Sequence, residues 1–93
     1  MIRVKIPLSL RRHTGGVGQL ELAGGTVADC LAELERRFPG VSRGMRDESG
    51  RLLASVSFYV NGEDVRYRSA LETPLQSGDE LTILFPIAGG LEF

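Results

Sequence analysis

The residues best placed to do chemistry stand at the end of the chain. Its 93 residues finish Ala88-Gly89-Gly90-Leu91-Glu92-Phe93, so a pair of glycines lies three residues short of the terminus. Two glycines in a row carry no Cβ and make a slim, extensible strand that can thread a narrow enzyme channel. In a chain ending at Gly90, the main-chain carboxylate would be an acyl group at the tip of a thin arm. As written, Gly90 ends in an ordinary amide. The expectation is therefore a precursor whose last three residues are removed, with a cloning-derived junction as the alternative origin of Leu91-Glu92-Phe93.

Other reactive side chains read as structural. Cys30 is the one cysteine, which excludes an internal disulfide framework, and it lies on the apolar stripe of a helix, where a thiol is a buried small hydrophobe. His13, the one histidine, sits beside Arg11 and Arg12 in a Gly-rich loop with no second ligand at metal spacing. The neighbouring arginines suggest anion binding; a structural or solvent-exposed loop histidine is the preferred reading. Asp29, Asp47, Glu48, Glu63, Asp64, Asp79 and Glu80 fall in turns and caps without a matching nucleophile, so no hydrolytic pair is expected. Gly15-Gly16-Val17-Gly18 lacks the Lys-Ser/Thr of a phosphate loop and opens no helix. No metal site and no bound cofactor are expected.

Composition sets the broad class. Hydrophobic content of 42%, charge content of 25% and a net charge of −1 are those of an ordinary globular domain and give no reason to expect nucleic acid or an anionic membrane as partner. No apolar run approaches the roughly 20 residues that span a bilayer. The start of the chain lacks a signal peptide's continuous apolar stretch, so the cytoplasm is the expected compartment.

Periodicity then supplies the elements that would carry the arm. Ile2, Val4, Ile6 and Leu8 alternate with Arg3 and Lys5 as a half-buried strand, Pro7 suggests that it frays or bends towards a loop near its end, and Leu20 and Leu22 belong to its hairpin partner across a turn at Arg11–Gly16. Thr26 is a good helix N-cap with Asp29 three residues on. Val27, Cys30, Leu31, Leu34 and Phe38 make the apolar stripe, and Pro39-Gly40 ends the helix. A helical turn near Val41 to Met45 follows. Val56, Phe58 and Val60 alternate up to Asn61-Gly62, a strong hairpin signal, and Leu81, Ile83 and Phe85 form the inner face of the last strand. The result is a two-layer α+β domain over residues 1–88, one helix on a mixed sheet of four to five strands. The first and last strands pair centrally, and residues 89–93 form a flexible tail.

This order, with Pro-Ile-Ala-Gly-Gly leaving the last strand, resembles the β-grasp (ubiquitin-like) sulfur carriers of the MoaD/ThiS family. Ile6-Pro7 with Leu10–Gly16, and Tyr59-Val60-Asn61-Gly62-Glu63-Asp64-Val65-Arg66, resemble its cysteine-biosynthetic branch. The resemblance implies a protein cosubstrate, not an enzyme. Its Gly90 carboxylate would be adenylated by an E1-like adenylyltransferase that uses ATP, then converted to a thiocarboxylate by a sulfurtransferase or sulfide. Gly89 and Ala88 would thread the partner, and a JAMM-type zinc peptidase would cut Gly90–Leu91. Leu84, Pro86 and Ile87, with Tyr59, would form the docking patch at the root of the tail, and a sulfur-accepting synthase would take the product. The alternative is a ubiquitin-like modifier joined through Gly90 to target lysines.

Overall fold

The computed structural model describes residues 1–87 and 90–92, with side chains through Phe85. Strand β1 (Ile2–Lys5) buries Ile2 and Val4 and exposes Arg3 and Lys5, as its alternation requires. It pairs antiparallel with β2 (Gln19–Leu22), Val4 opposite Leu20 and Lys5 opposite Gln19.

The link between these strands corrects one expectation. Leu8 continues the apolar alternation in sequence, yet it begins a 3-10 helix, Leu8–His13, and is 60% exposed. Pro7 is the cause: it has no N–H for the ladder, so the strand stops and the chain turns away. Leu10 swings inward in its place and is buried.

Helix α1 (Val27–Arg37) starts at Thr26, whose hydroxyl accepts the Asp29 N–H at 3.1 Å. Its stripe Val27, Cys30, Leu31 and Leu34 is fully buried, and Phe38 packs at the edge of the core. Arg36 and Arg37 reach back to Glu33, which they hold at a pKa of about 2. The short helix α2 (Val41–Met45) follows. Arg46 just beyond it grips Glu35 with two nitrogens, at 2.6 and 2.9 Å, while Ser42 donates to the same carboxylate, locking α2 to α1. These bonds from Arg46 hold Glu35 below the usual carboxylate range.

Strand β3 (Ser57–Val60) turns at Asn61-Gly62, both at positive φ (50° and 87°), into β4 (Glu63–Asp64). Asn and Gly are the residues that tolerate such a turn. The tip is tied down: the Asn61 side chain donates to Asp79 and accepts from the Glu80 N–H, each at 3.0 Å. Strand β5 (Glu80–Ile87) runs through the middle, and β6 (Gly90–Glu92) pairs with its far end. The main order is β2-β1-β5-β3-β4, with β1 and β5 parallel neighbours at the centre as expected. Ile2, Val4, Ile6, Phe58, Val60, Leu81 and Ile83 meet α1 in a single core. Among the described residues, no helix is long and apolar enough to cross a membrane.

Candidate functional site: the projecting end of the central strand

The site is made by a mismatch in strand length. β1 pairs with β5 only as far as Thr82, and β3 only as far as Leu84. Phe85, Pro86 and Ile87 therefore carry the strand past both neighbours, anchored behind by Leu81 and Ile83, each 1% exposed. Buried apolar side chains hold the root, while the backbone ahead of it pairs with neither β1 nor β3. The chain then returns: Gly90 lies opposite Ile87, Leu91 opposite Pro86 and Glu92 opposite Phe85. The stretch Gly90–Glu92, assigned from the sequence to a flexible tail over 89–93, pairs with the end of β5. The Gly90–Leu91 bond, the expected processing point, thus lies within β6. Ala88 and Gly89, the expected threading residues, lie outside the described residues, as do the side chains of Pro86 and Ile87.

Of the docking patch expected from sequence, the described side chains are those of Leu84 and Tyr59. Leu84 does point to the face opposite α1, in phase with Thr82 and opposite Ser57, but it is only 4% exposed and offers almost no surface. Tyr59 shares that outer face, opposite Thr82 and Asp64, and is half-buried. Its neighbour Asp64 is held below the usual carboxylate range, first by the Arg66 side chain, then by the Arg66 N–H, with a hydrogen bond to Tyr59 contributing. Alternation gives the face a side chain points to; it does not give how deeply that face is covered.

The same outer face is ionic near its centre. Glu80 on β5 lies 3.6 Å from Arg3 and 3.4 Å from Lys5 on β1. Asp47 and Asp79 are held below the usual carboxylate range, Asp47 first by the Ser49 hydroxyl and Asp79 first by the Gln76 N–H, and serve turns. Cys30 is 0% exposed, and burial, with Asp29 and Glu33 adding charge repulsion, pushes its thiol up to about 11. A thiol so held is neither nucleophile nor relay near neutral pH. His13 accepts from Arg12 Nε at 3.3 Å and packs over Gly40, where a Cβ would sit 3.0 Å from His13 Nδ1. It is a packing residue between the β1–β2 link and α2.

Sequence reasoning missed Leu8, the large exposed apolar side chain at this end of the sheet. Pro7 had signalled the bend, but not that Leu8 beyond it would turn outward, since a proline that ends a strand also ends its alternation.

A mixed sheet grasping one main helix, with its central strand running past both neighbours, is a β-grasp, ubiquitin-like fold. Residues 4–90 match the ThiS family. The chain is 41% identical to the sulfur carrier protein CysO of Mycobacterium tuberculosis over 91 residues, covering 96% of this chain and 98% of that one. It is similar to a chain in the crystal structure of the Amycolatopsis orientalis BexX/CysO complex, with a TM-score of 0.86 and 40% identity over 97% of this chain and 100% of that chain. Small archaeal modifier protein 1 of Methanosarcina acetivorans is also similar, at a TM-score of 0.81 and 33% identity, covering 96% of this chain and 95% of that one. The chain belongs to the ThiS family of ubiquitin-like sulfur carriers. It is accordingly a small carrier protein and not an enzyme.

Proposed function

We propose that this chain carries sulfur as a thiocarboxylate on Gly90 and delivers it to a biosynthetic enzyme in the cytoplasm. The observation that supports this reading above others is the projection of β5 beyond β1 and β3 within a ThiS-family fold. It puts a diglycine on an arm rooted in the core. A peptidase, of the JAMM zinc type, hydrolyses Gly90–Leu91 and frees the Gly90 carboxylate. Because a carboxylate is a poor electrophile, an E1-like adenylyltransferase then joins it to AMP from ATP, releasing pyrophosphate. Sulfide, or the persulfide of a sulfurtransferase followed by reduction by a thiol, displaces AMP and leaves sulfur on the Gly90 carbonyl carbon. Glycines at 89 and 90, with Ala88 before them, let the arm pass a narrow channel. ATP belongs to the activating enzyme. The resemblance to CysO favours a cysteine-synthase-like recipient, and the BexX/CysO complex shows that a relative of this chain associates with another protein at all.

The test compares the full chain with a form ending at Gly90, each incubated with the cognate activating enzyme, ATP and sulfide and followed by intact mass. The shortened form gains one oxygen-to-sulfur exchange; the full chain does not. No exchange in the shortened form, beside a relative that the same enzyme does convert, ends the carrier reading. Equal exchange in both ends the precursor reading.

A second reading, a modifier joined to lysines through Gly90, is favoured by the likeness to small archaeal modifier protein 1. Isopeptide-linked adducts of the shortened form in cell extract, without a thiocarboxylate, would select it.

A further inference from the structure

We infer that the β1–β2 link is a second docking element, in which Leu8 anchors, and Arg11 and Arg12 rim, the surface that receives the activating enzyme. The inference rests on the proposed carrier function and names where the enzyme that takes up the tail must sit.

The first argument is topological. β1 and β5 are parallel, Lys5 beside Thr82, so the residues after Lys5 leave the sheet at the same end as the arm. β2 is antiparallel to β1, Gln19 beside Lys5, so the residues before Gln19 arrive at that end too. Four large apolar side chains are strongly exposed among the described residues: Met1, Leu8, Val17 and Tyr67. Single exposed hydrophobes are ordinary. Here two of the four, Leu8 at 60% and Val17 at 38%, lie on one link at the end where the tail leaves.

The second argument is reach. From Leu84, the last residue of β5 paired with β3, to Gly90 is six residues, roughly 20 Å at full stretch. An enzyme that holds Gly90 beside ATP stands within that distance of the sheet, and the surfaces at this end of the domain are the first that its rim meets. Leu84 is too deeply covered to serve, whereas the link exposes Leu8 and Val17 at this end.

Charge supports that occupant. The chain as a whole carries −1, yet its first twenty residues hold Arg3, Lys5, Arg11, Arg12 and His13 and no carboxylate. Arg3 and Lys5 are answered by Glu80. Arg11 and Arg12 make no ion pair among the described residues: Arg11 Nε donates to the Ile6 carbonyl at 3.0 Å, and Arg12 Nε to His13. Arg11 also lines a shallow groove with Lys5, Gly18 and Gln19. An apolar point flanked by uncompensated guanidinium groups fits a protein surface with an apolar pocket and an acidic rim.

The experiment is steady-state adenylation, read as pyrophosphate exchange, with the form ending at Gly90 as varied substrate. Leu8→Asp raises KM for the carrier by about 10-fold or more, the size of an interface anchor, at unchanged kcat. Arg12→Glu raises KM less, and the salt dependence of KM seen with wild type flattens. Tyr67→Asp, on an exposed aromatic outside this link, changes neither constant. Leu8 is on the surface, so its thermal midpoint stays with wild type, and a KM effect is a contact effect. If wild type is adenylated and Leu8→Asp shows the same KM, the docking element is wrong while the carrier reading stands. If Tyr67→Asp raises KM as much as Leu8→Asp, the effect has no location and the inference fails. A wild type that self-associates through Leu8, with KM insensitive to Leu8→Asp, assigns the face to a second copy and overturns it. No adenylation of wild type overturns the carrier reading and this docking site together.

Discussion

Of the three diglycines in this chain, two, Gly24-Gly25 and Gly89-Gly90, answer opposite demands. In the first pair, Gly24 is hemmed in. A Cβ on Gly24 would stand 2.8 Å from the backbone nitrogen of Cys30 and 2.9 Å from its Cα, inside the first turns of α1. Gly25 accepts a hydrogen bond from the Leu75 N–H at 2.9 Å, and the next residue, Thr26, caps α1. Here glycine is chosen because another part of the protein is already in the way. The second pair follows a strand that has outrun its neighbours, and in the proposed function what it must fit is another protein's channel. A missing Cβ is therefore read by folding at one site and by a partner at the other, and the two sites separate by which measurement moves.

The largest effect is expected at the tail. Changing Gly89 and Gly90 together to Ala, in the form ending at residue 90, should lower the rate of thiocarboxylate formation by about 100-fold, the size of a small misplacement of a reacting group. Thermal unfolding should not move, because the buried root at Leu81 and Ile83 is untouched. Undiminished sulfur transfer would make the tail glycines incidental and erase the contrast; a lowered melting temperature would show that both pairs are structural.

Next comes the pair under the helix. Gly24→Ala drives a Cβ into helix backbone, which cannot swing aside as a side-chain end can, and should destabilise by about 1–3 kcal/mol. In a domain of this size that is a fall of roughly 4–8 °C per kcal/mol in melting temperature. Gly25→Ala is the internal control. Its Cβ would meet only Asp29 Oδ2, at an ordinary 3.6 Å, so the change should stay within about 0.5 kcal/mol. Paired urea titrations of the two variants decide it, and equal destabilisation would refute the close approach at Gly24. Neither should alter sulfur loading at saturating carrier.

What could be read in advance follows the range of the forces. Thr26 and Asp29, the stripe from Val27 to Leu34, and Asn61-Gly62 declare themselves because each is a local pattern whose partner lies within a few residues. The central pairing of β1 and β5 was legible from their clean alternation. The crowding at Gly24 was not, since it depends on where α1 is laid against the chain that precedes it. The same holds at the tail. Phase places Leu84 on the outer face, but its depth depends on what covers that face, and Leu8 is exposed because Pro7 breaks the phase it had kept. The diglycine announced a candidate chemistry. The length by which β5 passes β1 and β3, which makes it an arm, emerges only from the register of three strands.

A third position tests the comparison from the reverse side, because there the backbone takes a glycine's conformation without a glycine. Ala70 has φ of 49°, in the left-handed region that costs an L-residue roughly 1–2 kcal/mol. What holds it is Thr73, 0% exposed, whose hydroxyl donates to the Ala70 carbonyl at 2.7 Å and accepts from the Ser69 N–H at 3.2 Å. The Thr73 carbonyl in turn receives the N–H of Val27 at the start of α1, so the strained turn is clamped to the helix that Gly24 underlies. Ala70→Gly relieves the strain but makes the unfolded chain freer, a counter-term of about 0.5–1 kcal/mol. The net should be a small gain, about 0.5 kcal/mol, seen as a higher urea midpoint at an unchanged m-value. A loss in stability would mean that the methyl of Ala70 contributes more by packing than its backbone costs. It would also mean that positive φ alone does not tell where this chain requires glycine, leaving close approach, as at Gly24, as the better guide.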